Sequence, residues 1–132
     1  MKIYTVEEII EIARLKSPYY KELYKHLPKN PKLSEIPVLD SESFWKVNTL
    51  ENNQLLTEPQ TDGIVFKSGG TTGNPKFSFF SLDEWELFTL AFGEGMMKGG
   101  LKKGEKVANM FYAGDLYASF LFITKSIEKS LS

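Results

Sequence analysis

The sequence predicts an α/β protein, with a helical and looped lead-in followed by the start of a mixed β-sheet with crossover helices. Three observations support this prediction. Residues up to about 60 carry helix-starting signals and prolines, residues from 61 onward carry short apolar runs typical of strands, and those runs alternate with helical periodicity. We therefore divide the chain into a lead-in over 1–60 and an incomplete α/β subdomain over 61–132.

Capping residues set the predicted helices of the lead-in. Thr5 followed by Glu8 has the form of a capping box, which starts a helix. Ser17 and Pro18 should end that helix, and Pro18 can open the next one as its first residue. Ser41 begins a third short helix after an irregular, proline-containing stretch.

The second half alternates short apolar runs with helical segments. In chain order we predict a strand at 64–66, a strand at 77–80, a helix from the capping box at 81–84 to Gly99, a strand at 106–111 and a helix from about Asp115. The strand, helix, strand order indicates a sheet with crossover helices.

The composition excludes several kinds of partner and site. A formal net charge of -1 creates no field that would attract nucleic acid or an anionic membrane. The chain has no cysteine, which removes disulfides, thiolate nucleophiles and cysteine zinc sites. No segment has the apolar length of a signal core or a membrane span. We expect a cytoplasmic protein that binds small molecules, with no nucleic acid and no membrane as partner.

The loop 68–76 is the chemically informative segment. Its candidate ligands are Ser68, Gly69, Gly70, Thr71, Thr72, Gly73 and Lys76. Glycines let backbone N–H groups converge on an anion, hydroxyls donate to phosphate oxygens, and lysine adds a charge-assisted hydrogen bond. We predict that these residues bind polyphosphate.

Two common nucleotide motifs do not match this chain. In the usual P-loop the lysine directly follows the last glycine and opens a helix, whereas Lys76 stands three positions after the last glycine and precedes a predicted strand. Gly93 and Gly95 lie within a predicted helix and lack the third glycine of the dinucleotide fingerprint. We therefore expect the phosphate donors to come from a loop between strands.

The segment 65–76 resembles the first nucleotide-binding signature of the adenylate-forming acyl ligases, in the branch that includes phenylacetate–coenzyme A ligases. The match holds at every restricted position of that signature. Four flanking peptides are similar to the same branch: Ser17-Pro18-Tyr19-Tyr20, Leu33-Ser34-Glu35-Ile36-Pro37-Val38, Gly104-Glu105-Lys106-Val107 and Phe111-Tyr112-Ala113-Gly114. The resemblance implies that residues 61–132 begin a nucleotide-binding subdomain, incomplete relative to the family's large amino-terminal domain.

The resemblance also implies a two-step reaction. A carboxylate attacks the α-phosphate of ATP, which is bound with Mg²⁺, and a thiol such as coenzyme A then captures the acyl adenylate. The loop 68–76 would hold the β- and γ-phosphates, and Lys76 would stabilise the transition-state charge that accumulates as pyrophosphate leaves. Mg²⁺ would help to neutralise that charge. The substrate would be an aryl or acyl carboxylic acid, and we assign no metal-ligating side chain.

Several later elements of that family do not occur before Ser132, namely its adenine-binding Tyr-Gly-x-Thr-Glu segment, its ribose-binding aspartate and its carboxy-terminal catalytic lysine. We expect the amino-terminal part of a longer enzyme, inactive alone, that pairs with the remainder of the enzyme or with itself through exposed core surface. An acyl-protein synthetase of related fold and a non-catalytic nucleotide-binding or interaction module stay open. The resemblance implies that Phe111 and Tyr112 border an acyl pocket. Asp115 is expected to cap the last helix.

Overall fold

The computed structural model describes residues 4–68, 75–114 and 117–131. The chain divides into two compact units, Met1–Pro59 and Gln60–Ser132. Within the described residues, the first unit contains short helices, and the second contains a two-stranded sheet and two longer helices. The architecture is therefore a mixture of helix and strand, broadly α/β.

Local capping defines the helices of the first unit. They are α1 (Val6–Lys16), α2 (Pro18–Leu23) and α3 (Ser41–Lys46), with a 3-10 turn at Leu33–Glu35. The Thr5 hydroxyl accepts from the Glu8 N–H at 3.2 Å, and the Glu8 carboxylate accepts from the Thr5 N–H at 2.9 Å. Pro18 is the first residue of α2, where its missing N–H costs nothing. The predicted capping box and the predicted start at Pro18 are both confirmed.

The junction between α1 and α2 is tied to the segment that follows α3. Ser17 is fully buried, and its hydroxyl donates to the Gln54 carbonyl oxygen at 2.9 Å. The Tyr19 N–H donates to the same oxygen at 3.0 Å. The Tyr19 ring also packs edge-on against Phe44 of α3, with 5.9 Å between ring centroids. These contacts hold the first unit together around α2.

The second unit begins with an antiparallel hairpin made of β1 (Ile64–Lys67) and β2 (Phe77–Phe80). Ile64 lies opposite Phe80, and Lys67 lies opposite Phe77. Phe66 is 5% exposed, and its ring packs on that of Trp85 in the following helix, with 5.3 Å between centroids. The two predicted strands around the loop are confirmed.

The next helix, α4 (Leu82–Lys98), carries the predicted signals at both ends. The Ser81 hydroxyl accepts from the Glu84 N–H at 3.3 Å, and the Glu84 carboxylate accepts from the Ser81 N–H at 2.8 Å. At the other end the helix stops at Gly99, and Gly100 has a φ of +116°, a conformation that glycine adopts without strain.

The last helix, α5 (Ala118–Leu131), packs closely on α4. Thr89 and Ser126 are fully buried, and a Cβ atom added at Gly93 would lie 2.5 Å from the Ser126 carbonyl oxygen. The Phe122 ring contacts three aromatic rings of α4. Gly93 therefore serves helix packing, which agrees with its exclusion from a dinucleotide site. The predicted cap Asp115 lies outside the described residues.

The predicted strand at 106–111 is wrong, and the sheet is a two-stranded antiparallel hairpin rather than a mixed sheet with crossover helices. The described residues between α4 and α5 contain turns and extended chain without strand pairing. Met110 is 92% exposed, and the Asn109 amide donates to Phe120 O and Thr124 Oγ1, each at 2.9 Å. An apolar run forms a strand only where a neighbouring strand pairs with its backbone, and here the segment is fastened to α5 instead.

Candidate functional site

The predicted phosphate loop connects β1 to β2. Residues 69–74 lie outside the described residues, and with them the predicted ligands Gly69, Gly70, Thr71, Thr72 and Gly73. The structure describes the two ends of the loop, Ser68 and Lys76. These two residues define the root of the loop.

Ser68 and Lys76 pair with each other at the root of the loop. The Ser68 N–H donates to the Lys76 carbonyl oxygen at 2.8 Å, and the Lys76 N–H donates to the Ser68 hydroxyl oxygen at 3.3 Å. This pair continues the hairpin ladder one step beyond Lys67 and Phe77, its last paired strand residues. The backbone therefore brings the first and last predicted ligands of the loop together, although seven residues separate them.

The Ser68 hydroxyl can bind an anion while it helps to close the loop. A hydroxyl group has one O–H donor and two acceptor lone pairs. One lone pair accepts the Lys76 N–H, so the O–H is able to donate to a phosphate oxygen. Lys76 is exposed, and its side chain carries an ammonium group. A hydroxyl donor and an ammonium at a hairpin root form a donor set that suits a phosphate group.

Three residues before β1 contact the end of β2 and the start of α4. The Gln60 side-chain amide donates to the Phe80 carbonyl oxygen at 3.0 Å, and the Asp62 carboxylate accepts from the Leu82 N–H at 3.1 Å. Gly63 has a φ of +90°, and a Cβ atom added there would lie 2.0 Å from the Phe80 carbonyl oxygen. The base of the hairpin is therefore held in place at the end opposite the loop.

The roles of Gln60, Asp62 and Gly63 are not recoverable from the sequence pattern. An Asp-Gly pair signals a turn, but the partner of Asp62 lies 20 positions further along the chain and depends on the hairpin register. Lys67 is also outside the predicted set, although it is the last residue of β1 and adds a second lysine near the root. Its place beside the loop follows only once the strand boundary is known.

The segment expected to approach an acyl pocket is largely exposed. Phe111 is 54% exposed and Tyr112 is 68% exposed. A Cβ atom added at Gly114 would lie 2.8 Å from the Tyr112 hydroxyl oxygen, so the tyrosine folds back over its own loop. The apolar groove that the structure describes lies elsewhere, between β2 and α4.

Ion pairs connect α4 to α5 on the surface of the second unit. The Glu86 carboxylate accepts a hydrogen bond from the Lys129 ammonium and lies 3.8 Å from the Lys125 ammonium. The hydrogen bond from Lys129, with the charges of both lysines, holds the pKa of Glu86 below its ordinary value. These pairs support the helices beneath the hairpin and are separate from the loop.

In the part of the chain that the structure describes, no cluster of three or more histidine and acidic side chains is arranged to hold a metal ion. Within the same residues, no helix is both long enough and apolar enough to cross a membrane.

No protein-family model matches this chain, and neither a curated protein nor a solved structure matches it. A functional assignment therefore depends on the sequence of the loop and on the geometry of its root.

Proposed function

We propose that this chain contains the ATP-phosphate-binding element of an enzyme that activates carboxylic acids as acyl adenylates and transfers them to a thiol, with coenzyme A as the expected acceptor. Ser68 and Lys76 would bind the β- and γ-phosphates together with the glycines and threonines between them. The loop would stabilise the charge that accumulates as pyrophosphate leaves. The substrate class would be aryl or acyl carboxylic acids.

The pairing of Ser68 with Lys76 is the observation that supports this proposal most directly. Ser68 and Lys76 supply a hydroxyl and an ammonium to the segment that resembles the acyl-ligase signature. Their mutual hydrogen bonds of 2.8 and 3.3 Å form the root of the loop. Positioned donors stabilise developing charge better than mobile ones, because less reorganisation is needed at the moment of reaction. A flexible surface loop without a paired root would support the proposal less well.

The donor set at the root agrees with a nucleotide delivered as its magnesium complex. Mg²⁺ is usually held by few protein carboxylates together with substrate phosphates, and it keeps several waters. A site of that kind needs no cluster of acidic side chains, because phosphates and waters supply most of the ligands of the metal. We therefore propose that this chain binds the phosphates, and we assign to it no ligand of the metal and no contact with the thiol.

The first test measures the binding of magnesium pyrophosphate and magnesium ATP to the chain by phosphorus NMR and calorimetry. We expect saturable binding that Lys76→Ala weakens roughly tenfold to a hundredfold, because hydrogen bonds between charged groups contribute about 1.5–3 kcal/mol. Lys102→Ala is the matched control, since Lys102 is an exposed lysine of the same unit, in the turn that follows α4. Binding that is absent, or equally affected by both variants, would overturn the phosphate site.

The second test addresses chemistry rather than binding. ATP–pyrophosphate exchange should be measured on the protein that contains this sequence, with a panel of aryl and fatty acids. Exchange that depends on one acid class and falls in Lys76→Ala would identify the substrate of the ligase. Binding of pyrophosphate without exchange for any acid would contradict the enzymatic proposal and favour a nucleotide-binding module.

A further inference from the structure

An apolar groove of about 340 Å³ lies beside α4 in the second unit. Its lining residues are Phe79, Phe80, Glu84, Leu87, Phe88 and Ala91. Leu87 is 40% exposed and Phe88 is 49% exposed, which is unusual for neighbouring large apolar residues on one helix. The groove is not lined by Ser68 or Lys76, so it is distinct from the root of the phosphate loop.

The groove follows one stripe along α4. The helix buries Trp85, Thr89 and Gly93 on the side that packs against α5. The opposite side carries exposed residues at helical spacing: Glu84, Leu87, Ala91, Gly95 and Lys98. We call these five residues the open stripe. Phe88 lies at its edge, because its ring contacts Phe122 of α5.

We propose that the open stripe is a self-association surface on which a second copy of this chain packs with its α4 antiparallel to the first. A two-fold axis through Ala91 would bring each member of the stripe against a complementary one. Counting outward from Ala91, Leu87 meets Gly95 of the second copy, and Glu84 meets Lys98. The interface is thus isologous, with the same patch used on both chains.

Charge selects this orientation. The first turn of α4 carries Asp83 and Glu84, and its last turn carries Lys98. An antiparallel pair sets the acidic end of each helix against the basic end of the other, whereas a parallel pair would set like charges together. Antiparallel packing also aligns the two helix dipoles favourably.

Small residues allow the two helices to approach. Ala91 stands at the centre of the stripe, and a Cβ atom added at Gly95 would meet no atom within 4 Å. Leu87 of one copy can therefore fill the space above Gly95 of the other, as ridges fill grooves in helix packing. The stripe thus has both a shape and a charge pattern that complement themselves.

The absence of cysteine makes the geometry directly testable. Ala91→Cys would introduce a single thiol on the proposed axis, where two copies should form a disulfide on mild oxidation. Lys98→Cys is the matched control, because seven residues on each side of the axis place its two thiols about 21 Å apart along the helices. We expect rapid dimer cross-linking for Ala91→Cys and little for Lys98→Cys.

Light scattering and sedimentation equilibrium should be measured alongside, from about 10 µM to about 1 mM, because a small interface gives weak and reversible pairing. We expect a monomer–dimer equilibrium whose dissociation constant rises at least tenfold in Ala91→Glu, since two buried carboxylates would then face each other. Ala91 is exposed in the single chain, so the thermal unfolding of dilute Ala91→Glu protein should be unchanged.

A monomer at every concentration would overturn the proposal and leave the groove to a different partner. Equal cross-linking of the two cysteine variants would overturn the antiparallel geometry. Open-ended oligomers instead of dimers would exclude the two-fold axis.

Discussion

Gly63 lies so close to Phe80 that a Cβ atom added to the glycine would stand 2.0 Å from the phenylalanine carbonyl oxygen. Gly63 also has a φ of +90°, in the left-handed region that side chains disfavour. Two independent constraints therefore reserve this position for glycine. They act where the chain enters the hairpin and packs on its last strand residue.

Gly63→Ala is expected to lower the free energy of unfolding by roughly 2 kcal/mol or more, because backbone strain and a steric clash add together. The measurement is urea unfolding followed by circular dichroism. Gly104→Ala is the control, since Gly104 has the same φ of +90° but no atom within 4 Å of an added Cβ. Gly104→Ala should lower the free energy of unfolding by the backbone strain alone, about 1–2 kcal/mol. Equal losses in the two variants would show that the contact with Phe80 is harmless.

Gly93→Ala is expected to destabilise the packing of α4 on α5. The new Cβ would lie 2.5 Å from the Ser126 carbonyl oxygen and 3.1 Å from the Ser130 nitrogen, so the helices would have to separate. Overpacking should lower the free energy of unfolding by roughly 1–3 kcal/mol, and a 2.5 Å approach to backbone favours the upper part of that range. The higher helix propensity of alanine returns only about 1 kcal/mol, so we expect a net loss of stability. Thermal unfolding of dilute protein would measure it.

Gly95→Ala separates packing from propensity in the same helix. Gly95 has open space at its Cβ position, so this variant should gain up to about 1 kcal/mol in dilute protein. If both glycine variants raised stability, the close approach of α4 and α5 at Gly93 would be refuted.

Local signals made the helices predictable. The capping boxes at Thr5 and Ser81 each use a partner three residues away, and both form as the sequence indicates. The proline at position 18 likewise acts on its immediate neighbours. Such features depend little on the rest of the fold.

Long-range signals were harder to interpret. The apolar run at 106–111 has strand composition, yet it lacks a paired neighbour, and Asn109 binds α5 instead. In the candidate site, the loop composition pointed to Ser68 and Lys76, whose pairing at the root agrees with a loop between strands. The contact between Asp62 and Leu82 could not be predicted, because it exists only after the hairpin has folded onto α4.

Ser68→Ala should weaken pyrophosphate binding roughly tenfold or more, because it removes one hydrogen bond to a charged phosphate oxygen. The same change removes the acceptor of the Lys76 N–H at the root of the loop. Ser68→Thr keeps the hydroxyl at a strand end, where a β-branched residue is well accommodated, and should bind nearly as the wild type does. Calorimetric titration would compare the three proteins. If Ser68→Ala bound pyrophosphate with wild-type affinity, the Ser68 hydroxyl would not be a ligand of the phosphate.

Stability should depend on the ionisation of Glu86, because its carboxylate pairs with Lys129 across α4 and α5. The hydrogen bond from Lys129 lowers the pKa of Glu86 below its ordinary 4.5, so the folded protein favours the charged form. This contribution is fully present above 4.5 and is lost as the pH falls through the lower, folded-state pKa. Glu86→Gln should therefore be less stable than the wild type at neutral pH, and the difference should vanish in acid.

Glu128→Gln is the control, since Glu128 lies 3.6 Å from Lys125 within α5 alone and does not bridge the two helices. Urea unfolding over a pH series would measure all three proteins, and a wild-type advantage over Glu86→Gln that persists unchanged in acid would contradict the ion pair as its source.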